Sequence, residues 1–161
     1  NRGWYVGATL LDFERSSIHY SAGARRTLED LVHYARETTI DGRVLGQNPV
    51  VRNRLADMAI EIEVSRMISY HIGWMQSQGH VPNKEASICK VFSTEMQQRL
   101  AATGLWMLGL YGQLGSASKW APLQGRLARS YLTSYSVTLA AGTSEIQRNI
   151  IATRGLGLPR G

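Results

Sequence analysis

Apolar residues recur at helical spacing through most of this chain. Over residues 4–36 they place Leu10, Phe13, Ile18, Ala22, Leu28 and Leu31 on one stripe, the pattern of a first long amphipathic helix. Residues 37–48, ETTIDGRVLGQN, are polar and glycine-bearing and read as a connection. Asn48 then offers a cap and Pro49 suits a first helical turn. The stripe that follows, Val51, Leu55, Met58, Ile62, Met67 or Ile68, and Ile72, predicts a second helix ending near Gly79. A third runs over residues 83–108 through Ala86, Ile88, Val91, Phe92, Met96, Leu100 and Leu105. Residues 109–124 are glycine-rich and aromatic and form a loop, and RLARSYLTSYSV predicts a shorter helix beyond it. No segment alternates with period two for more than a few residues. Long amphipathic helices must bury their stripes against one another, so the predicted fold is all-α: an up-and-down four-helix bundle with an additional carboxyl-terminal helix.

That last helix begins at a small turn, in AAGTSEIQRNIIATRG. Thr143 or Ser144 is placed to cap it, and with Ser144 as cap Gln147 falls where a capping box closes. Ile146, Ile150 and Ile151 make an apolar stripe, leaving Arg148 and Arg154 for solvent or a partner. Gly142 lets another molecule approach the backbone closely, so the turn is a candidate oxyanion or phosphate site.

Composition narrows the chemistry. The 161 residues, 43% of them hydrophobic, suit one domain with a real core, and no long uncharged apolar run predicts a membrane span. Neither is there a signal-peptide pattern, and the expected compartment is the cytoplasm, or an organelle matrix in a eukaryote. The single Cys89 rules out an internal disulfide framework. His19, His33, His71 and His80 lack paired ligand spacing, so no metal site is expected. The net charge of +6 is scattered, as at Arg25, Arg26, Arg52, Arg54, Arg126 and Arg129, without the aromatic-interleaved stripe of a nucleic-acid face. The four tryptophans, Trp4, Trp74, Trp106 and Trp120, read as core or interface anchors, and Tyr131 and Tyr135 as core residues or as the lining of a pocket.

The stretch GTSEIQRNIIATRGLGLP resembles the carboxyl-terminal signature of acyl-CoA dehydrogenases, and LEDLVHYARE, NPVVRNRLADMAIEIEVSRM and ASICKVFSTEMQQRLAATG follow the same family's helical domain in order. The resemblance spans essentially the whole chain and implies that residues 1–161 are that domain. An amino-terminal helical domain and a middle β domain, together about 220 residues or more, are then expected upstream of it. It further implies FAD as cofactor, an acyl-CoA as substrate, an electron-transfer flavoprotein or similar acceptor, and a homo- or hetero-tetramer. In such enzymes a carboxylate removes the α-proton while the β-hydride passes to the flavin, and a backbone N–H helps hold the thioester carbonyl. By this resemblance Ala141 and Gly142 contact substrate and Thr143, Ser144 and Glu145 contact the cofactor.

Three departures from the family pattern bear on the site. Many members carry the catalytic Glu immediately before the Gly-Thr of the signature, where this chain has Ala141; a methyl group accepts no proton. Another branch, including isovaleryl-CoA and long-chain enzymes, places that Glu on an earlier helix, and Glu14 of LDFERS stands at the matching position with Arg15 beside it as a substrate contact. Leu11, Phe13 and Ile18 are expected to desolvate the Glu14 carboxyl. The family's Arg in the loop after the first helix is replaced near Thr38 or Thr39, leaving Arg43 or Arg36 as substitutes for the flavin pyrophosphate contact. In WMLGLYGQLG, Trp106 stands near the place of a usual Gln. Two functions therefore stay open: a flavin-dependent dehydrogenase with Glu14 as base, and a non-catalytic subunit that completes a heteromeric enzyme.

Overall fold

Helix starts fall where the capping chemistry puts them. Asn48 Oδ1 accepts a hydrogen bond from the Val50 N–H at 2.9 Å, and Pro49 opens the helix behind it. The computed structural model describes residues 2–14 and 16–159. Its six α-helices are α1 (Gly3–Glu14), α2 (Ile18–Glu37), α3 (Pro49–Ser77), α4 (Asn83–Leu108), α5 (Arg126–Leu139) and α6 (Ser144–Ile150). Between α2 and α3 a two-stranded hairpin pairs β1 (Thr39–Ile40) with β2 (Arg43–Val44). Its two turn residues, Asp41 and Gly42, both have positive φ, as a tight hairpin demands.

The single helix expected over residues 4–36 is two helices. The chain breaks at Ser17, which takes a left-handed backbone at φ 57°. That conformation costs roughly 1–2 kcal/mol for a residue with a Cβ. Burial secures the break, since Ser17 is enclosed and the neighbouring Ser16 carbonyl accepts a hydrogen bond from Cys89 Sγ at 3.4 Å. No glycine or proline marks the spot, so the periodicity runs through it unbroken. Within α1, Trp4, Tyr5, Val6 and Leu10 remain exposed.

Side-chain pairings give the helix directions. Arg25 of α2 meets Glu63 of α3, and along α3 and α4 Glu61 pairs with Arg99 while Ser65 pairs with Ser93 at 2.8 Å. Gln98 and Lys90 of α4 bond the Ser134 and Thr138 carbonyls of α5. Numbers rise on one helix as they fall on the next, so α2, α3, α4 and α5 run up, down, up and down. Ser16 beside Cys89 and Tyr20 beside Gln97 make α2 and α4 parallel across the bundle.

The α4 helix is the centre of this arrangement, touching α1, α2, α3, α5 and α6. It is therefore buried on more than one face, and the single predicted stripe understates it. Ile88 is exposed, whereas Ser87, Ser93, Thr94, Thr103 and Gly104 are enclosed. Small residues let neighbours close in: a Cβ on Gly104 would lie 2.8 Å from Leu127 Cδ1. On α3 the choice left open resolves to Ile68, because Met67 is exposed. The four tryptophans are all exposed, which removes the core reading for them; Arg54 stacks over the Trp106 ring at 4.0 Å. No helix among the described residues is long and apolar enough to cross a membrane. Nor do the described residues contain a cluster of three metal-ligating side chains.

Candidate active site

Between α5 and α6 the backbone turns through Ala141 at φ 54° and Gly142 at φ 94°. Thr143 is the cap of α6, its Oγ1 accepting from the Ile146 N–H at 3.4 Å. The capping box expected between Ser144 and Gln147 does not form, because Ser144 already belongs to the helix. Gln147 instead is fully buried and reaches back, donating from Nε2 to the carbonyls of Ala141 at 3.1 Å and Gly142 at 3.2 Å. The buried face of α6 is Ser144 and Gln147, not the isoleucines: Ile146 is half exposed, and Ile150 and Ile151 are half-buried. A polar face is buried here because what it packs against is polar. Arg148, assigned to solvent or a partner from the sequence, pairs with Glu95 of α4 at 2.8 Å.

The polar counterpart on α4 is Lys90, which sequence reasoning missed. Only 4% of its surface is exposed, and Nζ donates to the Gly142 carbonyl at 2.9 Å and the Thr138 carbonyl at 3.1 Å. A buried ammonium needs such partners to offset its lost hydration. The signal was available in ASICKVFST, where Lys90 sits among small residues at core-facing positions. Glu145, at the exposed start of α6, is held below the ordinary carboxylate pKa by the Thr143 hydroxyl and by its own backbone N–H, with Arg148 and Lys90 adding to the effect. This contribution to stability is complete above the unfolded carboxylate pKa and disappears as pH falls through the lowered folded value.

Glu14 closes α1 and is exposed. Among the described residues the apolar enclosure expected around it is not built, since Ile18 is exposed and Leu11 only half-buried. The side chain of Phe13, and Arg15 altogether, lie outside the described residues. Near Glu14 stands Tyr20, whose phenol pKa is raised chiefly by burial and further by the Glu14 charge. Glu14→Gln should therefore lower the Tyr20 pKa toward, without reaching, its ordinary 10.0, measured by NMR titration of ring-labelled tyrosine. An unmoved Tyr20 would place Glu14 elsewhere.

Two consecutive residues of α4 join these parts. Cys89 holds the Ser16 carbonyl just beyond Glu14, and Lys90 holds the Gly142 carbonyl. The α1–α2 junction and the 141–143 turn thus dock on the same turn of α4, at the same end of the bundle. Arg43 does not join them. It sits on β2 past the far end of α2, whose 20 residues span about 30 Å at 1.5 Å each. There it lines a groove of about 590 Å³ with Ile40, Asp41, Gln47 and Asn48. Tyr131 and Tyr135 meet edge to face with their hydroxyls 3.0 Å apart, Tyr135 exposed, which is a surface pair and not core packing.

An all-α up-and-down bundle whose closing turn is gripped by its central helix is the class of domain that these features define. The profile of the acyl-CoA dehydrogenase carboxyl-terminal domain matches residues 1–156, and the chain belongs to that family. It is 31% identical to acyl-CoA dehydrogenase FadE26 of Mycobacterium tuberculosis, over 99% of this chain and 41% of that protein. Among solved structures it resembles the ChsE4-ChsE5 complex from Mycobacterium tuberculosis, with 30% identity and a TM-score of 0.80 over 88% of this chain and 37% of that one. A FAD-dependent dehydrogenase is 25% identical with a TM-score of 0.81, over 92% of this chain and 38% of that one. The chain spans about two-fifths of the length of the curated relatives it matches.

Proposed function

We propose that this domain is part of an FAD-dependent dehydrogenase that converts an acyl-CoA to its 2,3-enoyl-CoA, with Glu14 as the α-proton base. The observation that carries the reading is the docking of the Glu14 junction and the Gly142 turn on adjacent residues of α4. The Glu14 carboxylate takes the α-proton, and the turn holds the thioester carbonyl from its N–H side as negative charge develops there. Bound FAD supplies the two-electron acceptor for the β-hydride, and an electron-transfer flavoprotein or similar carrier takes the electrons onward. Enclosure of Glu14 beyond what the described residues build comes from the domains expected upstream or from a second chain.

The residues present fit a flavin nucleotide. Ser144 Oγ and Gln147 Oε1 are buried at the turn without a hydrogen-bond partner among the described residues, and Arg43 makes no ion pair within them. The turn and Arg43 lie at opposite ends of the bundle, so one chain's Arg43 serves a cofactor held at another chain's turn. Exposed Ile60, Met67, Tyr70 and Trp74 on α3 and Leu110, Tyr111 and Trp120 beyond α4 supply apolar surface for such an assembly, a homo- or hetero-tetramer. The test is flavin stoichiometry: the full-length protein, alone or with its partner chain, should purify as an oligomer with bound FAD. A monomer without flavin under both conditions contradicts the reading.

A second reading, the non-catalytic subunit of a heteromeric dehydrogenase, is favoured by one observation. The loop after α2 is a tight hairpin with Thr38 or Thr39 near the place of the family's Arg, and Trp106 near the Gln place is capped by Arg54. The resemblance to a ChsE4-ChsE5 complex is in keeping with it. FAD bound only together with a second chain, with Glu14 dispensable, would establish that reading.

A further inference from the structure

We propose that the outer face of α3 pairs with the same face of a second copy of this chain, the two helices antiparallel and Trp74 of each seated in a groove of the other; this rests on the assembly reading above and names its partner. The α3 helix carries two stripes. Met58, Ile62, Ser65, Ser69 and Ile72 face the bundle. Ile60, Val64, Met67, His71 and Trp74 repeat the same spacing of four and three two residues further on, about 200° round a helix of 3.6 residues per turn, and all five are exposed. That spacing is the seam of paired helices. His71 interrupts the apolar row only in part, because its ring stacks on Trp74 with centroids 5.7 Å apart. A helix with stripes on two opposite sides is one that is covered on both.

The face is complementary to itself. Ile60, Glu63, Val64 and Met67, at i, i+3, i+4 and i+7, surround an apolar groove of about 530 Å³. Four residues at that spacing make the hole that receives a side chain of a facing helix. Trp74, 57% exposed, is the matching knob, about 16 Å further along the same helix at 1.5 Å per residue. A surface that carries both knob and hole fits a second copy across a two-fold axis, each indole filling the groove of the other. The axis then falls near residue 69 and sets Met67 of one copy beside Tyr70 of the other. The one polar group of the knob, the indole N–H, meets the one charged residue of the hole. Glu63 already accepts from Arg25 on Oε1 and from Arg66 on Oε2, which neutralises it and leaves lone pairs for a further donor. Ile60, Val64, Met67, Tyr70 and Trp74 present on the order of 600 Å² per copy, and the total of roughly 1,200 Å² reaches the lower end of stable, specific interfaces.

The test uses the full-length protein in its native assembly. Met67→Cys and Ile60→Cys are each treated with a short bis-maleimide, the unmodified protein, whose Cys89 is buried, serving as control. Antiparallel pairing brings position 67 close to its mate but holds the two positions 60 about 26 Å apart. Met67→Cys should therefore give a covalent pair of this chain, identified by mass, and Ile60→Cys should not. Trp74→Ser should keep its helical content, because the side chain is exposed, yet raise the dissociation constant of the pair at least about thirtyfold in sedimentation, as for a central tryptophan of an interface. Cross-linking in both cysteine variants, which marks a parallel pair, overturns the proposal. So does cross-linking in neither, or to a different chain, or an unchanged dissociation constant in Trp74→Ser. A flavin-bearing oligomer with any of those results leaves the assembly reading standing through another surface, whereas a monomer without flavin removes both. Should Trp74→Ser fail to fold, the two cysteine variants decide.

Discussion

Glu14→Gln should lower the rate of flavin reduction by an acyl-CoA at least about a hundredfold while leaving the fold, the flavin and ligand binding in place. A hundredfold is the lower end of what a general base contributes. Stability should be almost unaffected because Glu14 is exposed at the end of α1, and the amide keeps nearly the same shape. A fall in rate without a matching rise in ligand dissociation constant is the signature of a group that acts only in the transition state. Ala141→Glu in the same background should restore part of the rate, since position 141 carries the base in the related branch. The recovery is partial because Ala141 has positive φ, a conformation that a larger side chain adopts at a cost. Stopped-flow absorbance of the flavin measures both effects. Unchanged reduction in Glu14→Gln would move the base to another chain and leave the non-catalytic reading standing.

Gly125→Ala should be among the most destabilising single changes in the domain. Gly125 has φ +69° and starts α5 from the left-handed region, and an added Cβ would lie 2.6 Å from both Gly115 C and Ser116 N. These are backbone atoms, so no rotamer relieves the contact. Left-handed strain costs about 1–2 kcal/mol and overpacking about 1–3 kcal/mol. The combined loss, roughly 2–5 kcal/mol, corresponds to a Tm lower by roughly 5–15 °C. Gly115→Ala is the control, because a Cβ there meets nothing within 4 Å; it should change stability by less than about 0.5 kcal/mol. Thermal unfolding of the two variants distinguishes a fold held by this close approach from one that tolerates its loss.

The bundle was legible because its helices carry their own signals. Asn48-Pro49 opened α3 as predicted, and the pattern over residues 83–108 matches α4 from Asn83 to Leu108. What escaped the sequence is tertiary in origin. The break at Ser17 is held by burial and by Cys89, a residue 72 or more positions away, and no local composition announces it. The α6 stripe misled because three isoleucines outweigh one glutamine in any hydrophobic pattern, whereas the fold buries Gln147 against the turn carbonyls. Lys90 was passed over for the same reason: a lone lysine in a helix reads as solvated until a central helix encloses it. Of the candidate site, the Gly142 turn was singled out by its capping residues and glycine and Glu14 by motif resemblance, and periodicity alone pointed to neither their shared end of the bundle nor the distance to Arg43.

The most direct measurement is anaerobic titration of the full-length protein, with its partner chain where one co-purifies, against a panel of acyl-CoA thioesters of differing length, branching and ring content. The account predicts that at least one bleaches the bound flavin and yields one 2,3-enoyl-CoA per flavin reduced. Flavin that stays oxidised across the whole panel, or a purified assembly that holds no flavin, would contradict it.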